Sequence, residues 1–236
     1  MQPPRSTTAG VADPMLDHLV VMAASLMEGV AWCEATLGVT PGPGGEHPLM
    51  GTHNRLLKIA TPDFPTAYLE IIAINSVASP PTPTRAKRWF DMDDPALQAC
   101  IAQHGPTLVH AVVSVPDIHA SVATLGAQGL DRGDVLQASR PTANGLLQWR
   151  ITVRPDGQRL FDGCLPTLIQ WGSTHPTDRM SASGVTLHSL RVQHPQTEAL
   201  RAAYQAVGWA AQAVDAGAPR LSAILQTPKG LIEIHT

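Results

Sequence analysis

The feature that most constrains this chain is one apolar pattern that occurs three times. The first copy covers residues 16–22 and carries His18 in its interior. A second copy carries His110, and a third carries Ser189 in place of the histidine. Because all three copies are rich in valine and leucine, they predict buried β-strands of one kind. The chain is therefore expected to consist of related units, each opening on such a strand.

The same succession of elements follows each copy. Apolar residues recur at three- and four-residue steps after each strand, which predicts an amphipathic helix. Further strands follow each helix, bounded by glycine and proline turns. Repetition of one order of elements predicts an internal duplication. The predicted helices cover residues 26–37, 118–125 and 197–207, and the predicted units cover residues 16–79, 108–174 and 185–236, the third of them degenerate.

The segments outside these units have a different composition. Residues 1–15 contain prolines and small polar residues and lack the apolar core of a signal peptide, so they predict a loose tail. Residues 80–107 are predicted to be a linker and an intervening segment. The prolines within residues 80–84 exclude a central strand there, because proline has no amide hydrogen to donate.

Charge and cysteine content narrow the classes of partner and compartment. The formal net charge is -3, without blocks of like charge, and gives no electrostatic reason to expect nucleic acid or a membrane as a partner. The three cysteines, Cys33, Cys100 and Cys164, are far apart and lack CxxC spacing. This pattern predicts reduced, buried thiols in a cytoplasmic protein.

A polar residue recurs near the end of the units, as the histidine does near their start. Glu70 lies in the last predicted strand of the first unit, and Gln170 occupies that place in the second. Imidazole and carboxylate groups suit zinc, iron, manganese or nickel. His18, Glu70 and His110 could therefore form a three-ligand site for a divalent metal, with Gln170 as a weak fourth ligand. The alternative is a hydrogen-bonded polar cluster, because a polar group on an apolar strand face needs a partner.

The strand that begins near residue 52 offers candidates for catalysis and binding. His53 and Asn54 open this strand beside a glycine-rich loop, where side chains often reach the mouth of a cleft. Glu70 and His53 are the catalytic candidates, and Asn54 is a candidate for contact with substrate.

The second unit offers further candidates for binding. Arg140 and Arg150 flank the hairpin signal Asn144-Gly145, so one of them could hold a substrate carboxylate or carbonyl, and exposed surface arginines are the alternative. Trp149 is a further candidate for contact with substrate, and it is expected to form core or cleft wall. His175 and His194 lie in predicted turns and are expected to be solvated.

Several short motifs, spread over nearly the whole chain from about residue 16 to residue 236, resemble those of glyoxalase-like domain proteins. These proteins are part of the vicinal oxygen chelate superfamily, which also contains glyoxalase I and the extradiol dioxygenases. The motifs are Asp17-His18-Leu19-Val20-Val21, Gly51-Thr52-His53-Asn54, Tyr68-Leu69-Glu70, Arg88-Trp89-Phe90, Gln148-Trp149-Arg150, and Trp171-Gly172 followed by His175-Pro176.

The resemblance implies an α+β fold in which βαβββ units form an incomplete barrel around a cleft, with a third, related unit at the C-terminus. In metal-using members a divalent ion in the cleft binds vicinal oxygens of the substrate as a Lewis acid. By position, His18 and Glu70 match ligands of the first unit, and His110 matches that of the second. Gln170 stands where glyoxalase I has a glutamate that moves the proton, and because an amide is a poor base, glyoxalase I activity itself is not expected.

Two classes of function follow from the resemblance. The first is a metal-dependent enzyme that acts on a small oxygenated metabolite by a lyase, isomerase or hydrolytic reaction. The second is a metal-free protein that binds a small molecule, or confers resistance to it, on the same scaffold. Because an odd third unit needs a surface to pack on, either the other units or a neighbouring subunit, a homodimer is also predicted.

Overall fold

The computed structural model describes residues 13–76, 87–142 and 145–236. The tail up to residue 12, the proline-rich linker at residues 80–84 and part of the Asn144-Gly145 hairpin signal lie outside the described residues. The α-helices are α1 (Leu26–Leu37), α2 (Pro95–His104), α3 (Ile118–Ala127) and α4 (Thr197–Ala206). The strands are β1 (Met15–Met22), β2 (Glu46–His47), β3 (Thr52–Lys58), β4 (Tyr68–Ile74), β5 (Thr107–Ser114), β6 (Asp134–Thr142), β7 (Gly145–Val153), β8 (Thr167–Trp171), β9 (Thr186–Gln193), β10 (Val214–Asp215), β11 (Arg220–Thr227) and β12 (Gly230–His235).

The first eight strands form one mixed sheet that curls into a half-barrel. Its strand order is β2-β3-β4-β1-β5-β8-β7-β6. In each half the first strand pairs in parallel with the last strand of its own unit, β1 with β4 and β5 with β8, and the two first strands pair with each other in antiparallel fashion. His18 pairs with Val112 and Val20 pairs with His110, so the two units are related by an approximate twofold axis between β1 and β5. The predicted pair of βαβββ units and the α+β fold class are confirmed.

The third unit keeps the predicted order of elements but pairs its strands differently. Its four-stranded sheet has the order β10-β9-β11-β12, so its last strand lies away from its first. It packs within the chain: Leu187 and Tyr204 belong to the same buried core as Leu16 and Leu37 of the first unit. The Tyr204 hydroxyl donates a hydrogen bond of 2.6 Å to the carbonyl oxygen of Cys164. The other units therefore supply the packing surface that the third unit needs.

Two shifts in strand register decide which side chains of β1 and β5 face the inside of the half-barrel. Asp17 is the extra residue in β1, because Leu16 and His18 pair with the adjacent residues Val113 and Val112 of β5. Val109 is the extra residue in β5, because its neighbours His110 and Leu108 pair with the adjacent residues Val20 and Val21. Strict alternation predicts that Leu16 lies on the same face as His18. Instead, Leu16 packs in the outer core, because a bulge inserts one residue and reverses the alternation beyond it.

The helix ends follow from local sequence. Ser25 caps α1 by accepting a hydrogen bond of 3.2 Å from the amide of Glu28, and Gly38 ends the helix in the left-handed conformation with φ of 78°. The three predicted helices are confirmed to within two residues at each end. The prediction did not include α2 or β6.

The remaining predictions concern the cysteines and the membrane. Cys33 and Cys164 are buried as predicted, whereas Cys100 is exposed on α2. None of the helices in the described ranges is long and apolar enough to cross a membrane.

Candidate functional site

A cavity opens on the inner face of the half-barrel, between the two units. It holds about 440 Å³ of space, part of it open to solvent. We call it the cleft cavity. Its polar side chains are His18, His47, Asn54, Tyr68, Glu70 and Arg140, and its aromatic walls are Tyr68, Trp89, Phe90, Trp149 and Trp171. The cavity continues outward into a wider groove of about 1500 Å³. Arg140 lines both the cavity and the groove, and His175 lines the groove.

The orientation of His18 is set by the residue before it. The Nδ1 atom of His18 lies 2.7 Å from Oδ1 of Asp17, and the ring is 4% exposed. Because the carboxylate accepts a hydrogen bond, Nδ1 carries the proton and Nε2 is left for the cavity. The Nε2 atom lies 3.6 Å from Oε2 of Glu70, which is close contact without a hydrogen bond.

Asp17 is the fixed negative charge behind this arrangement. It is fully buried, and its Oδ2 accepts hydrogen bonds from Nε1 of Trp171 at 2.7 Å and from Nε2 of His175 at 3.0 Å. Burial alone would raise the pKa of Asp17, but the hydrogen bonds from His175 and His18 outweigh it and lower the pKa to about 2. Asp17 therefore remains ionised and anchors three rings around the cavity.

Glu70 is held from the other side by a chain of hydrogen bonds through the first unit. Asn54 donates from Nδ2 to Oε1 of Glu70 at 2.5 Å, and its own Oδ1 accepts from the amide of Gly45 at 2.7 Å. His47 lies beside Asn54, and burial lowers the pKa of this histidine to about 4. The amide of Asn54 therefore holds Oε1 with the neutral imidazole of His47 behind it, while Oε2 forms no hydrogen bond within the described ranges.

Tyr68 forms an aromatic floor under His18. The two rings are stacked with centroids 4.6 Å apart. Burial raises the pKa of Tyr68 well above its usual value, and the negative charges of Asp17 and Glu70 raise it further. Tyr68 is therefore a neutral phenol at physiological pH.

Arg140 supplies the positive charge of the cavity. Its Nη1 atom is buried and has no hydrogen-bond partner within the described ranges. The guanidinium packs against Gly45, where a Cβ would lie 1.8 Å from Nη1, so a larger residue there would displace the guanidinium. A buried N–H of a cation without an acceptor is costly, which makes this the place in the cavity where an anionic oxygen is best accommodated.

His110 sits at the twofold-related position, but both of its ring nitrogens are engaged. Its Nδ1 lies 2.9 Å from the carbonyl oxygen of Gly163, and its Nε2 accepts from the amide of Thr167 at 3.1 Å. Burial, and then the charges of Arg132 and Arg159, lower the pKa of His110 well below its usual value. It is a neutral, hydrogen-bonded core histidine.

Gln170 does not take the place of Glu70 in the second unit. Its side chain is on the outer face, where Oε1 accepts from the amide of Ile118 at 3.2 Å and Nε2 donates to the carbonyl oxygen of Pro116 at 2.7 Å. The residue that matches Glu70 is Thr167, because it pairs with Val112 as Glu70 pairs with Val20.

The structure brings together some of the predicted site residues and separates others. Those that line the cleft cavity are His18, Asn54, Glu70, Arg140 and Trp149. His53 alternates with Asn54 along β3 and so faces away, and Arg150 is exposed on the outer face of β7. His110 and Gln170 are engaged in hydrogen bonds elsewhere.

Several residues of the site were missed by sequence reasoning. They are Asp17, His47, Tyr68, Trp171 and His175. Asp17 and Tyr68 stand inside motifs already recognised in the sequence, so a signal existed for them. His175 was expected to be solvated but is partly buried against Asp17, and His194 was expected to be solvated but is only 2% exposed.

The predicted metal-ligand set is only partly assembled. His18 and Glu70 offer two donor atoms to one point in the cavity, whereas His110 and Gln170 use theirs elsewhere. Among the residues that the structure describes, no group of three or more histidine, cysteine, aspartate or glutamate side chains could hold a metal ion. The residues present therefore do not fit the three-ligand centre that the sequence predicts.

Comparison with solved structures shows what this fold is similar to. A hypothetical protein from Staphylococcus aureus is 14% identical, with a TM-score of 0.58 over 94% of this chain and 85% of that one. The methylmalonyl-CoA epimerase of Streptomyces coelicolor is 15% identical, with a TM-score of 0.41 over 70% of this chain and 99% of that one. The epimerase of Mycobacterium tuberculosis is 16% identical, with a TM-score of 0.39 over 74% and 96%. At these identities and TM-scores neither epimerase indicates what this chain binds.

Comparison at the level of sequence gives the family. No curated protein sequence matches the chain significantly. The family model for the glyoxalase-like domain matches residues 16–208, which is most of the chain and includes both units that form the cleft cavity. The chain therefore belongs to the glyoxalase-like domain family.

Proposed function

We propose that the cleft cavity binds a small anionic metabolite with neighbouring oxygen atoms and catalyses an isomerase- or lyase-type reaction on it by proton transfer. The observation that carries this proposal is the buried Nη1 of Arg140, which has no hydrogen-bond partner among the described residues and belongs to a side chain in the wall of a cavity that also contains the carboxylate of Glu70. A carboxylate or enolate oxygen of a ligand would complete this guanidinium.

In this proposal Glu70 moves the proton. Its Oε1 is fixed by Asn54 at 2.5 Å, whereas its Oε2 has His18 as its near neighbour, at 3.6 Å and therefore beyond hydrogen-bond distance. A carboxylate with one oxygen anchored and one free is positioned to abstract a proton from a carbon next to a carbonyl group. The unprotonated Nε2 of His18, oriented by Asp17, would accept a hydrogen bond from a hydroxyl group of the substrate, and Glu70 itself would return the proton.

The aromatic walls support such chemistry. Trp89, Phe90, Trp149 and Trp171 line the cavity together with its polar groups. In a cavity of low polarity the interaction of Arg140 with a developing negative charge is stronger than in water. Arg140 would therefore stabilise an enolate more than the ground-state carbonyl.

A metal-assisted form of the same reaction is a second candidate. It is favoured by the hydrogen bond from Nδ1 of His18 to Asp17, since metal-binding histidines are commonly oriented by such a carboxylate. Zinc, iron, manganese or nickel would have only His18 and Glu70 as protein ligands, one fewer than the three that the sequence predicts, so this form would depend on water and substrate for the remaining ligands.

The test uses proton exchange, because this readout does not require knowledge of the product. A panel of 2-oxo and 2-hydroxy carboxylates is incubated with the protein in deuterium oxide, and loss of the proton next to the carbonyl or hydroxyl group is followed by NMR. We expect exchange for at least one compound, about 100-fold or more slower with Glu70→Gln. Arg140→Met should weaken binding about 10- to 100-fold, the loss of a hydrogen bond to a charged group.

The controls separate the alternatives. Arg150→Met removes an exposed arginine from the outer face of β7 and should leave exchange unchanged. Elemental analysis of protein purified without chelator distinguishes the metal-assisted form, which requires a bound metal that is lost in His18→Ala. Binding without exchange would favour the metal-free binding or resistance protein. If no carboxylate binds, and Arg140→Met changes nothing, the proposal is wrong.

We also propose that the protein acts as a cytoplasmic homodimer. Its composition and separated cysteines support the compartment. The third unit no longer requires a partner subunit, so the homodimer rests on the general tendency of soluble proteins to form closed pairs. Light scattering that gives a mass near 25.0 kDa at high concentration would exclude it.

A further inference from the structure

Arg132 is a buried cation that forms no ion pair with any residue in the described ranges, although the charge of nearby Asp131 favours it. It lies just before β6 and is 4% exposed. Its Nη2 donates to Oγ1 of Thr167 at 3.3 Å, but its Nε and Nη1 are buried and have no hydrogen-bond partner within the described ranges. Burying an unpaired charge costs far more than burying a neutral polar group, so this arrangement needs a counter-charge or water.

The nearby carboxylates are committed to other arginines. Asp156 forms an ion pair of 2.6 Å with Arg154, and Asp131 lies 3.6 Å from the same guanidinium. Asp91 is bound to Arg159 at 2.9 Å. Burial, and then the charge of Arg154, lower the pKa of Arg132 to about 10, which shows that its surroundings disfavour the cation as it stands.

A small hollow lies beside this guanidinium. It holds about 250 Å³, including space open to solvent, and is therefore smaller than the cleft cavity. Trp89, whose Nε1 is also buried without a partner in the described ranges, forms part of its wall. We call it the Arg132 hollow, and its walls include Trp89, Phe90, Arg132, Thr152, Arg159 and Thr167.

The approximate twofold axis relates the Arg132 hollow to the position of Glu70 in the first unit. Thr167 corresponds to Glu70, and its Oγ1 lies 3.0 Å from Nε2 of His110, as Glu70 lies near His18. Where the first unit has a carboxylate, the second therefore has a neutral hydroxyl backed by the cation of Arg132. The sign of the charge at this position is therefore reversed between the two copies, and the position beside His110 suits an anion.

We propose that the Arg132 hollow binds a small inorganic anion of the size of chloride, held by Nε and Nη1 of Arg132. The small volume and buried walls favour a monatomic anion over a metabolite. The anion neutralises the buried guanidinium and so fixes Thr167 and His110 in the middle of the second unit. This site is distinct from the cleft cavity and does not depend on the function proposed for it.

The direct test is crystallographic. Crystals of the full chain are soaked in sodium bromide, and anomalous scattering locates the bromide. In parallel, the thermal unfolding midpoint is measured in sodium chloride and in sodium gluconate at equal ionic strength. We expect an anomalous peak in contact with Nε and Nη1 of Arg132, and a midpoint that rises with the logarithm of chloride concentration but not of gluconate.

Variants connect the two measurements. Arg132→Met should abolish both the peak and the dependence on chloride, whereas Arg150→Met, a matched change at an exposed arginine, should retain both. If Arg132→Met fails to fold, the bromide peak in the wild type and the wild-type comparison of chloride with gluconate carry the test. Absence of a peak at Arg132 would mean that water solvates the guanidinium and would overturn the proposal. A peak without a chloride-dependent midpoint would mean an adventitious ion only, and would overturn it as well.

Discussion

Replacement of Asp17 by asparagine tests the electrostatic basis of the cleft cavity. Asp17 is fully buried and receives hydrogen bonds from His18, Trp171 and His175. An asparagine side chain would keep the shape of the aspartate but remove its charge, and its amide group would face N–H donors on at least one side. The variant should therefore lose stability through the charge and not through packing.

The magnitude follows from the pKa of Asp17. The pKa of the Asp17 carboxyl group falls from 3.8 to about 2 on folding, so the pKa difference between the unfolded and folded states is about 1.8. At about 1.4 kcal/mol per unit, ionised Asp17 contributes about 2.5 kcal/mol to the free energy of unfolding at neutral pH. Because the pKa in the folded state is depressed, this contribution is complete well above pH 3.8 and is lost as the pH falls towards 2. At pH 3 about half of it, roughly 1.3 kcal/mol, should remain.

The assay is urea denaturation of wild type and Asp17→Asn at several pH values between 7 and 3. We expect a difference in the free energy of unfolding of about 2.5 kcal/mol at pH 7 that narrows by about 1 kcal/mol at pH 3. Asp63→Asn, at an exposed carboxylate in a turn, should cost little at either pH. A difference that stays constant over this pH range would refute the argument, because it would assign the effect to packing.

Two further substitutions test separate parts of the structure. Gly44→Ala should destabilise the protein by about 1–3 kcal/mol and slow proton exchange, because a Cβ would lie 2.1 Å from the carbonyl oxygen of Asn54. Gly126→Ala is the matched control, because a Cβ at Gly126 meets no neighbouring atom within 4 Å, and it should be neutral or slightly stabilising. Tyr204→Phe should cost about 1–2 kcal/mol in urea denaturation and leave exchange unchanged, because it removes the hydrogen bond to the carbonyl oxygen of Cys164 far from the cavity.

The fold could be predicted from the sequence because its signals are periodic and repeated. The apolar patterns of β1 and α1, and their return in β5 and α3, indicate the duplicated unit before any coordinates are known. The elements that were missed are those with weaker patterns. β6 is an edge strand with polar residues and Pro141, whereas α2 begins with Asp94 and Pro95, a capping signal that the sequence did offer.

The site was harder to predict because one residue of register changes which way a side chain points. The shift at Asp17 brings two adjacent side chains to the cavity side, so strict alternation fails where it matters most. The same sensitivity affects Gln170, which lies three residues beyond the true counterpart of Glu70 and so points to the opposite face. The similarity of short motifs identifies the strand that corresponds to β4, but only the pairing of the strands identifies Thr167 as the residue that corresponds to Glu70.

The histidine that repeats in the sequence therefore has two different roles in the two units. Next to His18 the chain has Asp17, which fixes the proton on Nδ1, and Glu70, which leaves an oxygen free in the cavity. Next to His110 the corresponding partners are the carbonyl of Gly163 and the amide and hydroxyl of Thr167, which satisfy both nitrogens. The two imidazoles occupy equivalent positions of the paired strands β1 and β5, whereas their chemistry depends on partners that the two copies do not share. A sequence repeat thus predicts where equivalent side chains lie, and the neighbours of each side chain decide which of its ring nitrogens are engaged in hydrogen bonds.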